Sequence, residues 1–352
     1  MTAETERPRP RTTFRLPPGS EAGAPPERRG IPRDEVRLLV ASRAGTQHRR
    51  FRDLPGLLSP GDLLVVNTSA TLPAAVAGRR GDRPPVPVHL STVLDDGTWV
   101  VEVRRPDGKG PAADVSAGET LDLPAGVRLA VEDSYPVPRV AGSRLWRAAP
   151  SPHVPAADFL RAHGRPITYG YLHGRYPIED YQTVYATGPG SAEMASAGRP
   201  FTERLLVRLM VLGVTVAPVV LHAGVSSAEA SEPPGAESFE VPADTARLVN
   251  SARAAGRRVI AVGTTVVRAL ETVADSLGSV REGQGWTSLV LGPQRPARVV
   301  TGLVTGLHAP GASHLLLLEA VAGADLVRSA YDAAVERRYL WHEFGDSTLF
   351  LP

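Results

Sequence analysis

The sequence predicts an α/β fold: a mainly parallel sheet flanked by helices, with a small β-barrel domain inserted into it. Runs at residues 63–66, 214–221 and 259–262 predict strands, and the first and third are continuously apolar, which is typical of strands buried on both faces of a parallel sheet. A helical pattern separates the second run from the third, and another follows the third. Between residues 72 and 150 short apolar runs alternate with turn residues, which is typical of a small barrel or sandwich.

The composition is that of a folded protein with a sizeable core. The chain has 352 residues, of which 42% are hydrophobic, and it contains no cysteine, which excludes disulfides, thiolate catalysis and Cys-ligated metals. No stretch approaches the roughly 20 apolar residues of a membrane span, and no signal pattern opens the chain. We therefore expect a cytoplasmic protein without a membrane partner. A monomer is expected because no coiled-coil seam is visible.

Composition also divides the chain into regions. Residues 1–33 are rich in Pro, Arg and Glu, so we expect a loose N-terminal arm with a docking segment at residues 14–18. Residues 34–71 and 151–352 form the predicted α/β body, which carries the site. Residues 72–150 form the predicted β-barrel. A net charge of +2 is too small to indicate a nucleic-acid partner by itself.

Caps and glycine stops predict the helices of the body. Thr202 caps a helix that Gly213 ends, and Asp244 starts another that stops at Gly256. The other elements predicted in the body are strands at residues 37–41, 63–69, 214–221, 259–262 and 299–307, and helices at residues 314–322 and 325–337.

The turn after the third apolar run has the features of a ligand site. Gly263 relieves a tight turn, and the hydroxyl of Thr264 or Thr265 can cap the helix that follows. Exposed N–H groups in such a first turn attract anionic or polar ligand groups. Arg268 and Glu271, three residues apart, share one face of this helix. An ordinary strand-to-helix connection explains the stretch equally well when it is taken alone.

Three predicted strands end in loops that carry polar side chains, at residues 222–224, 263–265 and 308–311. If the strands are parallel neighbours, these loops meet at one edge of the sheet, where open sheets bind ligands. His222 and His308 are then candidate catalysts, although each taken singly is more often a structural histidine. No close His/Asp/Glu spacing predicts a metal, and neither a Walker loop nor a dinucleotide glycine fingerprint is present.

Longer motifs occur in a fixed order along the chain. They are PGDLLVVNT at residues 60–68, YQTVY at 181–185, AG and FT at 197–202, LH-x-G at 221–224, RVIAVGTT-x-x-R-x-LE at 258–271, T-x-x-H-x-P at 305–310 and GD at 345–346. By these motifs the chain resembles the S-adenosylmethionine:tRNA ribosyltransferase-isomerase family of queuosine biosynthesis. The resemblance covers most of residues 35–350 and implies an α/β body with an inserted β-barrel.

The resemblance implies that the ribosyl part of S-adenosylmethionine, used as co-substrate without a metal, is transferred to 7-aminomethyl-7-deazaguanine in tRNA. Isomerisation then gives epoxyqueuosine, and adenine and methionine are released. Placed on this sequence, the catalytic candidates are His222, His308 and Glu271. The candidates for binding S-adenosylmethionine are Gly263, Thr264, Thr265, Arg268, Asn67 and Gly198.

The chain also departs from the family pattern. Pro200 stands where the family has a histidine, Ser69 where it has an arginine, and Ser226-Ser227-Ala228 where it has Gly-Thr-Phe. Two other hypotheses therefore stay open. The chain is either an S-adenosylmethionine-using enzyme with a different acceptor, such as a small molecule, or a non-catalytic relative that binds nucleosides or RNA.

Overall fold

The computed structural model describes residues 9–140, 142–226 and 235–352. The strands are β1 Arg37–Ser42, β2 Gly45–Arg50, β3 Leu63–Asn67, β4 Ser69–Thr71, β5 Ala75–Gly78, β6 Val86–Val93, β7 Trp99–Val103, β8 Thr120–Asp122, β9 Arg128–Tyr135, β10 Leu145–Ser151, β11 Gly188–Ser191, β12 Thr215–Leu221, β13 Glu237–Val241, β14 Val259–Val262, β15 Gly283–Thr287, β16 Gly302–Gly306 and β17 Ser347–Leu351. The α-helices are α1 Ala156–His163, α2 Glu203–Val211, α3 Ala243–Ala254, α4 Thr264–Thr272, α5 His314–Ala322 and α6 Ala324–Glu336.

A nine-stranded mixed sheet forms the body, in the order β15-β13-β12-β3-β14-β16-β17-β1-β2. The central strands β12, β3, β14 and β16 are parallel, and so are β17 and β1. The other four neighbour pairs in the described sheet are antiparallel. The prediction of a mainly parallel sheet is therefore corrected to a mixed sheet with a parallel centre.

Both faces of β3, β14 and β16 are buried, which explains their apolar runs, whereas Val216 and Pro218 leave one face of β12 exposed. Leu63 and Val65 of β3 face the layer that contains α3, α4, α5 and α6. Leu64 and Val66 face the opposite layer, which contains α2 and a 3₁₀ turn at Phe51–Gly56. Because successive side chains of a strand point to opposite faces, an apolar residue at every position fits this three-layer arrangement.

A six-stranded antiparallel sheet in the order β5-β6-β7-β10-β9-β8 forms the second unit, between β4 and α1 in sequence. An antiparallel bridge between Arg79 and Asp122, just after β5 and at the end of β8, brings the two edge strands together into a nearly closed barrel. Closure of this kind protects strand edges that otherwise remain unpaired. Apolar side chains including Trp99 and Trp146 fill the interior.

The N-terminal segment is docked rather than loose in the part that the structure describes, while residues 1–8 lie outside it. The backbone N–H of Thr12 donates to Glu319 Oε1 at 2.7 Å, and the ring of Phe14 packs 5.0 Å from that of Tyr331. The N–H of Trp341 donates to the carbonyl of Ser20 at 2.8 Å. The expected docking segment was placed correctly, but the contacts extend well beyond it.

None of the helices in the described ranges is long and apolar enough to cross a lipid bilayer.

Candidate active site at the carboxyl edge of the sheet

The carboxyl ends of four parallel strands lie at one edge of the nine-stranded sheet. The loops that follow β12, β3, β14 and β16 therefore leave the sheet side by side, as the sequence predicted for three of them. We call these loops, at residues 68–71, 222–226, 263–265 and 307–313, the carboxyl rim.

Asn67 ties two strands of the rim together. Its side-chain Oδ1 accepts from the backbone N–H groups of Leu221 at 3.0 Å and Ser69 at 3.1 Å. Its Nδ2 donates to the carbonyl of Leu221 at 2.8 Å and to Thr265 Oγ1 at 3.3 Å. Because Asn67 is buried and its amide is fully used, it supports the rim and has no free group for a ligand.

His222 is held in place through one ring nitrogen. Its Nδ1 lies 2.7 Å from Ser69 Oγ, which in turn lies 2.7 Å from Ser191 Oγ. The ring packs directly on Gly190, where an added Cβ would lie 2.3 Å from Nδ1. Burial lowers the pKa of His222. The imidazole is therefore neutral near pH 7, and Nε2 is the nitrogen that Ser69 leaves available.

His308 belongs to a stacked pair of imidazoles. Its ring lies parallel to that of His314, with centroids 4.5 Å apart. His308 Nε2 lies 3.0 Å from Thr305 Oγ1, and its backbone N–H donates to the Tyr331 hydroxyl. Burial, aided by His314 and His342, holds the pKa of His308 well below its ordinary value. Burial also lowers the pKa of His314 to about 4, so both rings are neutral near pH 7.

The amino end of α4 opens onto the rim. Gly263 adopts φ = 98°, a conformation that side chains disfavour, and no side chain caps the helix that it starts. Thr264 and Thr265 are half-buried here. Gly198 lies in a neighbouring 3₁₀ turn, Ser196–Gly198, where an added Cβ would lie 2.1 Å from the Tyr185 hydroxyl. Its requirement for glycine thus comes from packing against Tyr185.

Arg268 is buried and bound on all sides. Its guanidinium forms an ion pair with Glu237 and donates to the carbonyls of Leu289, Gly235 and Thr287. Glu237 also accepts the backbone N–H of Gly224 at 3.1 Å. Arg268 therefore fixes the loop after His222 through Glu237. Its effect on a ligand would be indirect, through the position of that loop.

Glu271 lies away from the rim, which corrects its assignment as a catalytic residue. It stands at the carboxyl end of α4, at the opposite edge of the sheet, and is fully buried. Its carboxylate accepts the backbone N–H groups of Arg298, Val299 and Val300 at 2.8–3.3 Å. Such a carboxylate is a structural anchor for the segment leading into β16, and it is not part of the proposed site.

The structure adds residues that the sequence analysis missed. Tyr169 and Tyr171 stack with centroids 5.9 Å apart, and His342 stacks on Tyr171 at 4.5 Å. The Tyr169 hydroxyl contacts Glu193, and the Tyr171 hydroxyl contacts Glu343. We call this group of five residues the aromatic–acid wall.

The aromatic–acid wall joins the loops of His222 and His308. At one end Glu193 accepts the backbone N–H of Ser226 at 2.8 Å, four residues after His222. Ser227 and Ala228, which the sequence analysis singled out beside Ser226, lie outside the described residues. At the other end Trp341, next to His342, donates from Nε1 to the His308 carbonyl at 3.1 Å.

The two wall carboxylates have no cationic partner among the described residues. Burial raises the pKa of Glu193, and burial raises that of Glu343 to about 7. A half-buried carboxylate that lacks a counter-charge favours a ligand that supplies one. In the described ranges no group of three His, Asp or Glu could hold a metal ion.

A family model described as queuosine biosynthesis protein matches residues 11–350. The S-adenosylmethionine:tRNA ribosyltransferase-isomerase of Moorella thermoacetica is 36% identical over 351 residues, which cover 96% of this chain and 98% of that protein. The protein of that name from Thermotoga maritima is 35% identical with the same coverage.

A solved structure gives the same result. The crystal structure of S-adenosylmethionine tRNA ribosyltransferase from Thermotoga maritima superposes with a TM-score of 0.53 at 31% identity, covering 97% of this chain and 99% of that one. The match of the family model to nearly the whole chain, with relatives above 30% identity over nearly their full length, leads to one conclusion: this chain belongs to the queuosine biosynthesis protein family.

Proposed function

We propose that this protein is an S-adenosylmethionine:tRNA ribosyltransferase-isomerase. It transfers and isomerises the ribosyl part of S-adenosylmethionine onto 7-aminomethyl-7-deazaguanine in tRNA, giving epoxyqueuosine and releasing adenine and methionine. The observation that carries the proposal is the near full-length similarity to relatives of that name, at 36% identity over 96% of the chain. A different acceptor or a binding-only role is not favoured, because the similarity extends over residues 11–350 rather than over one motif.

The reaction sets requirements that the rim can meet. The sulfonium of S-adenosylmethionine acidifies the neighbouring ribose hydrogens and is a good leaving group. The protein must then supply a base, a hydrogen bond or proton for the departing adenine, and a pocket that excludes water. A positioned acid or base contributes roughly 10²- to 10⁴-fold to such a step.

His222 is the proposed base. When its Nδ1–H donates to Ser69 Oγ, Nε2 is unprotonated and free to take a proton. The Ser69 hydroxyl can then donate to Ser191 Oγ, which also accepts the N–H of Ala223. This chain of hydrogen bonds holds the orientation of the ring, and in the proposed direction it keeps the proton on Nδ1. The lowered pKa of His222 keeps the ring in its basic form near pH 7.

His308 is proposed to hydrogen-bond the departing adenine through the ring nitrogen that does not face Thr305. The amino end of α4 is proposed to bind polar groups of S-adenosylmethionine through its free N–H groups, with Thr264 and Thr265 at its first turn. The absence of a Cβ at Gly263 lets a ligand approach this backbone closely.

The aromatic–acid wall is proposed to bind the acceptor base. Its stacked rings suit a flat heterocycle, and its carboxylates suit the aminomethyl group, which is a cation in water. The aminomethyl cation would supply the counter-charge that Glu193 or Glu343 lacks in the free protein. Asn67, Gly198 and Arg268 are proposed to act indirectly, by holding the rim in place.

The test is release of adenine and methionine from S-adenosylmethionine by the purified protein. It is run with tRNA that carries aminomethyl-deazaguanine and with the same tRNA carrying guanine. Release that depends on the modified base is the expected result. Release that is equal with both tRNAs, or that needs no tRNA, would contradict the proposed acceptor.

We also propose that the protein is a cytoplasmic monomer, since its substrates are a nucleotide-like metabolite and tRNA. Light scattering during size-exclusion chromatography measures the mass of the particle in solution. One chain of 37.3 kDa is expected, and a stable mass of twice that value would contradict the monomer.

A further inference from the structure

Five exposed arginines lie at one corner of the body, where the end of β2 meets the end of α6: Arg37, which pairs with Arg50, donates to the carbonyl of Arg337 at 2.8 Å. We call these five arginines the arginine face, and they are Arg49, Arg50, Arg52, Arg337 and Arg338. The first two belong to β2, the edge strand of the nine-stranded sheet, and Arg52 lies in the 3₁₀ turn that follows it. The last two follow α6 directly. By strand alternation the side chain of Arg49 lies on the other face of the sheet from that of Arg50.

Strand direction places the arginine face at the edge of the sheet that carries the carboxyl rim. Gly306, at the carboxyl end of β16, is opposite Ser347 at the amino end of β17. Ser347 is in turn opposite Leu38 at the start of β1, and Arg37 pairs with Arg50 at the end of β2. The last residues of β2 therefore lie at the same edge as the ends of the four central strands.

The segment from Tyr339 to Trp341 connects the arginine face to the rim. The guanidinium of Arg37 lies 4.2 Å above the Tyr339 ring, and the Tyr339 hydroxyl lies 2.9 Å from His48 Nδ1 on β2. Two residues further on, Trp341 Nε1 donates to the carbonyl of His308 at 3.1 Å. One short, well-packed segment thus contacts both the base of the arginine face and a candidate catalytic loop.

The positive charge of the face exceeds the negative charge around it. Within the described part of the chain, Arg49, Arg50, Arg337 and Arg338 form no ion pair with a carboxylate. Arg52 is the exception, because it pairs with Glu35.

Nearby acids cancel only part of this charge. The Asp53 carboxylate, which accepts the backbone N–H of Arg50 at 3.0 Å, and the exposed Glu336 each offset one arginine. Burial lowers the pKa of His48, and the charges of Arg337 and Arg37 lower it further. The positive charge of Arg337 therefore acts on a side chain of β2.

Helix stability explains only part of the face. A cation at the end of α6 interacts favourably with the helix dipole, which accounts for Arg337. It does not account for Arg49 on the edge strand, whose guanidinium donates to Gln47 Oε1 at 3.1 Å. Arginine presents several donors in a fixed fork and binds phosphate in two-point fashion.

We propose that the arginine face binds the phosphate backbone of the tRNA substrate and holds the tRNA while its target base enters the carboxyl rim. This inference rests on the proposed function and adds to it the surface that recognises the nucleic acid. Contacts to phosphate position a nucleic acid without reading its sequence. The aromatic–acid wall then supplies the contacts to the base itself.

The experiment measures tRNA affinity as a function of salt for the full-length protein and for the triple variant Arg49→Gln, Arg337→Gln, Arg338→Gln. These three side chains are chosen because Arg50 and Arg52 also bond Glu35. Each phosphate contact steepens the plot of log affinity against log salt by about 0.7 to 0.9. The triple variant is expected to lose about 2 from this slope and at least about tenfold in affinity at low salt.

Two controls keep the test specific. The triple variant with Lys at the same positions keeps the charges, so it should retain most of the slope. Arg281→Gln removes an exposed arginine just before β15, at the opposite edge of the sheet, and should bind tRNA like the wild type. Binding of S-adenosylmethionine should be unchanged in every variant, which reports that the rim is folded.

The outcomes separate this inference from the proposed function. An unchanged slope in the Gln variant, with adenine release that still depends on tRNA, would overturn the arginine face and leave the function intact. An equal loss in the Gln and Lys variants would show that charge is not the cause and would also overturn it. A wild-type protein without salt-dependent tRNA binding would overturn both.

Discussion

At the scale of single residues, the polar groups of the rim divide into those that are free to act and those that are already bonded. His222 has one ring nitrogen held by Ser69, and the other is not bonded within the described residues. Asn67 and Glu271 have every strong acceptor or donor in use inside the protein. Residue type cannot reveal this difference, since it depends on partners that are distant in sequence. Sequence analysis therefore identified both kinds as candidates.

Glu271→Gln separates an anchor from a catalyst. The substitution weakens a buried acceptor of several backbone N–H groups, so the free energy of unfolding should fall by about 1–3 kcal/mol. The kcat of the folded fraction should stay close to that of the wild type. Chemical unfolding and steady-state adenine release measure the two quantities. Normal stability together with a large loss of kcat would restore Glu271 as a catalytic residue.

Glu343→Gln tests the wall carboxylate through its effect on stability at different pH values. Burial raises the pKa of Glu343 from its ordinary value of 4.5 to about 7, so the folded state holds the proton more tightly than the unfolded state. This group's contribution to stability is therefore present at pH 4–5 and is lost as the pH rises to 7 and above.

The glutamine variant lacks this titration. Relative to the wild type it should gain up to about 2 kcal/mol in free energy of unfolding between pH 5 and pH 8. Urea unfolding at the two pH values gives the comparison. Parallel pH profiles for the two proteins would show that the pKa of Glu343 is not raised in the folded protein.

At the scale of elements, the apolar strands were predictable and the polar ones were not. The strands β3, β12, β14 and β16 all fall inside predicted runs, because both faces of β3, β14 and β16 and one face of β12 are covered. The edge strand β2 reads GTQHRR and is mostly exposed, so no hydrophobic pattern marks it. β15 lies at the other edge and carries two glycines. Edge strands are held by backbone hydrogen bonds, which require no hydrophobic pattern in the sequence.

Gly263→Ala tests the amino end of α4 as the binding element for S-adenosylmethionine. A Cβ at φ = 98° costs about 1–3 kcal/mol in backbone strain, although it meets no close atom in its surroundings. Relief of that strain requires the first turn to shift, so affinity for S-adenosylmethionine should fall by at least about tenfold. Calorimetric titration measures the affinity.

Gly188→Ala is the matched control for this element. Gly188 starts β11 and has no atom within 4 Å of an added Cβ, and its φ is not positive. The affinity of the Gly188→Ala variant for S-adenosylmethionine should equal that of the wild type. Unchanged affinity in Gly263→Ala as well would remove the amino end of α4 from the proposed binding site.

At the scale of the whole molecule, the fold brings together groups that the sequence spreads over nearly its full length. His222 and His308 were predictable as rim residues because each follows an apolar strand in a parallel centre. The aromatic–acid wall combines residues 169–171, 193 and 342–343, which lie in loops and follow no periodic pattern. Only the assembled body shows that they stand between the two histidines. The arginine face arises in the same way, from a strand and a helix end far apart in sequence.

The central claim is that ribosyl transfer takes place at the carboxyl rim, and one measurement tests it directly. The protein is given S-adenosylmethionine labelled in its ribose together with tRNA carrying aminomethyl-deazaguanine, and label in the tRNA is counted. Wild type should transfer one label for each adenine released. His222→Ala should lose at least about 10²-fold in rate while still binding both substrates. His153→Ala, an exposed histidine of the linker after the barrel, should be unaffected. Transfer at the wild-type rate by His222→Ala, or adenine release without label in the tRNA, would contradict the account.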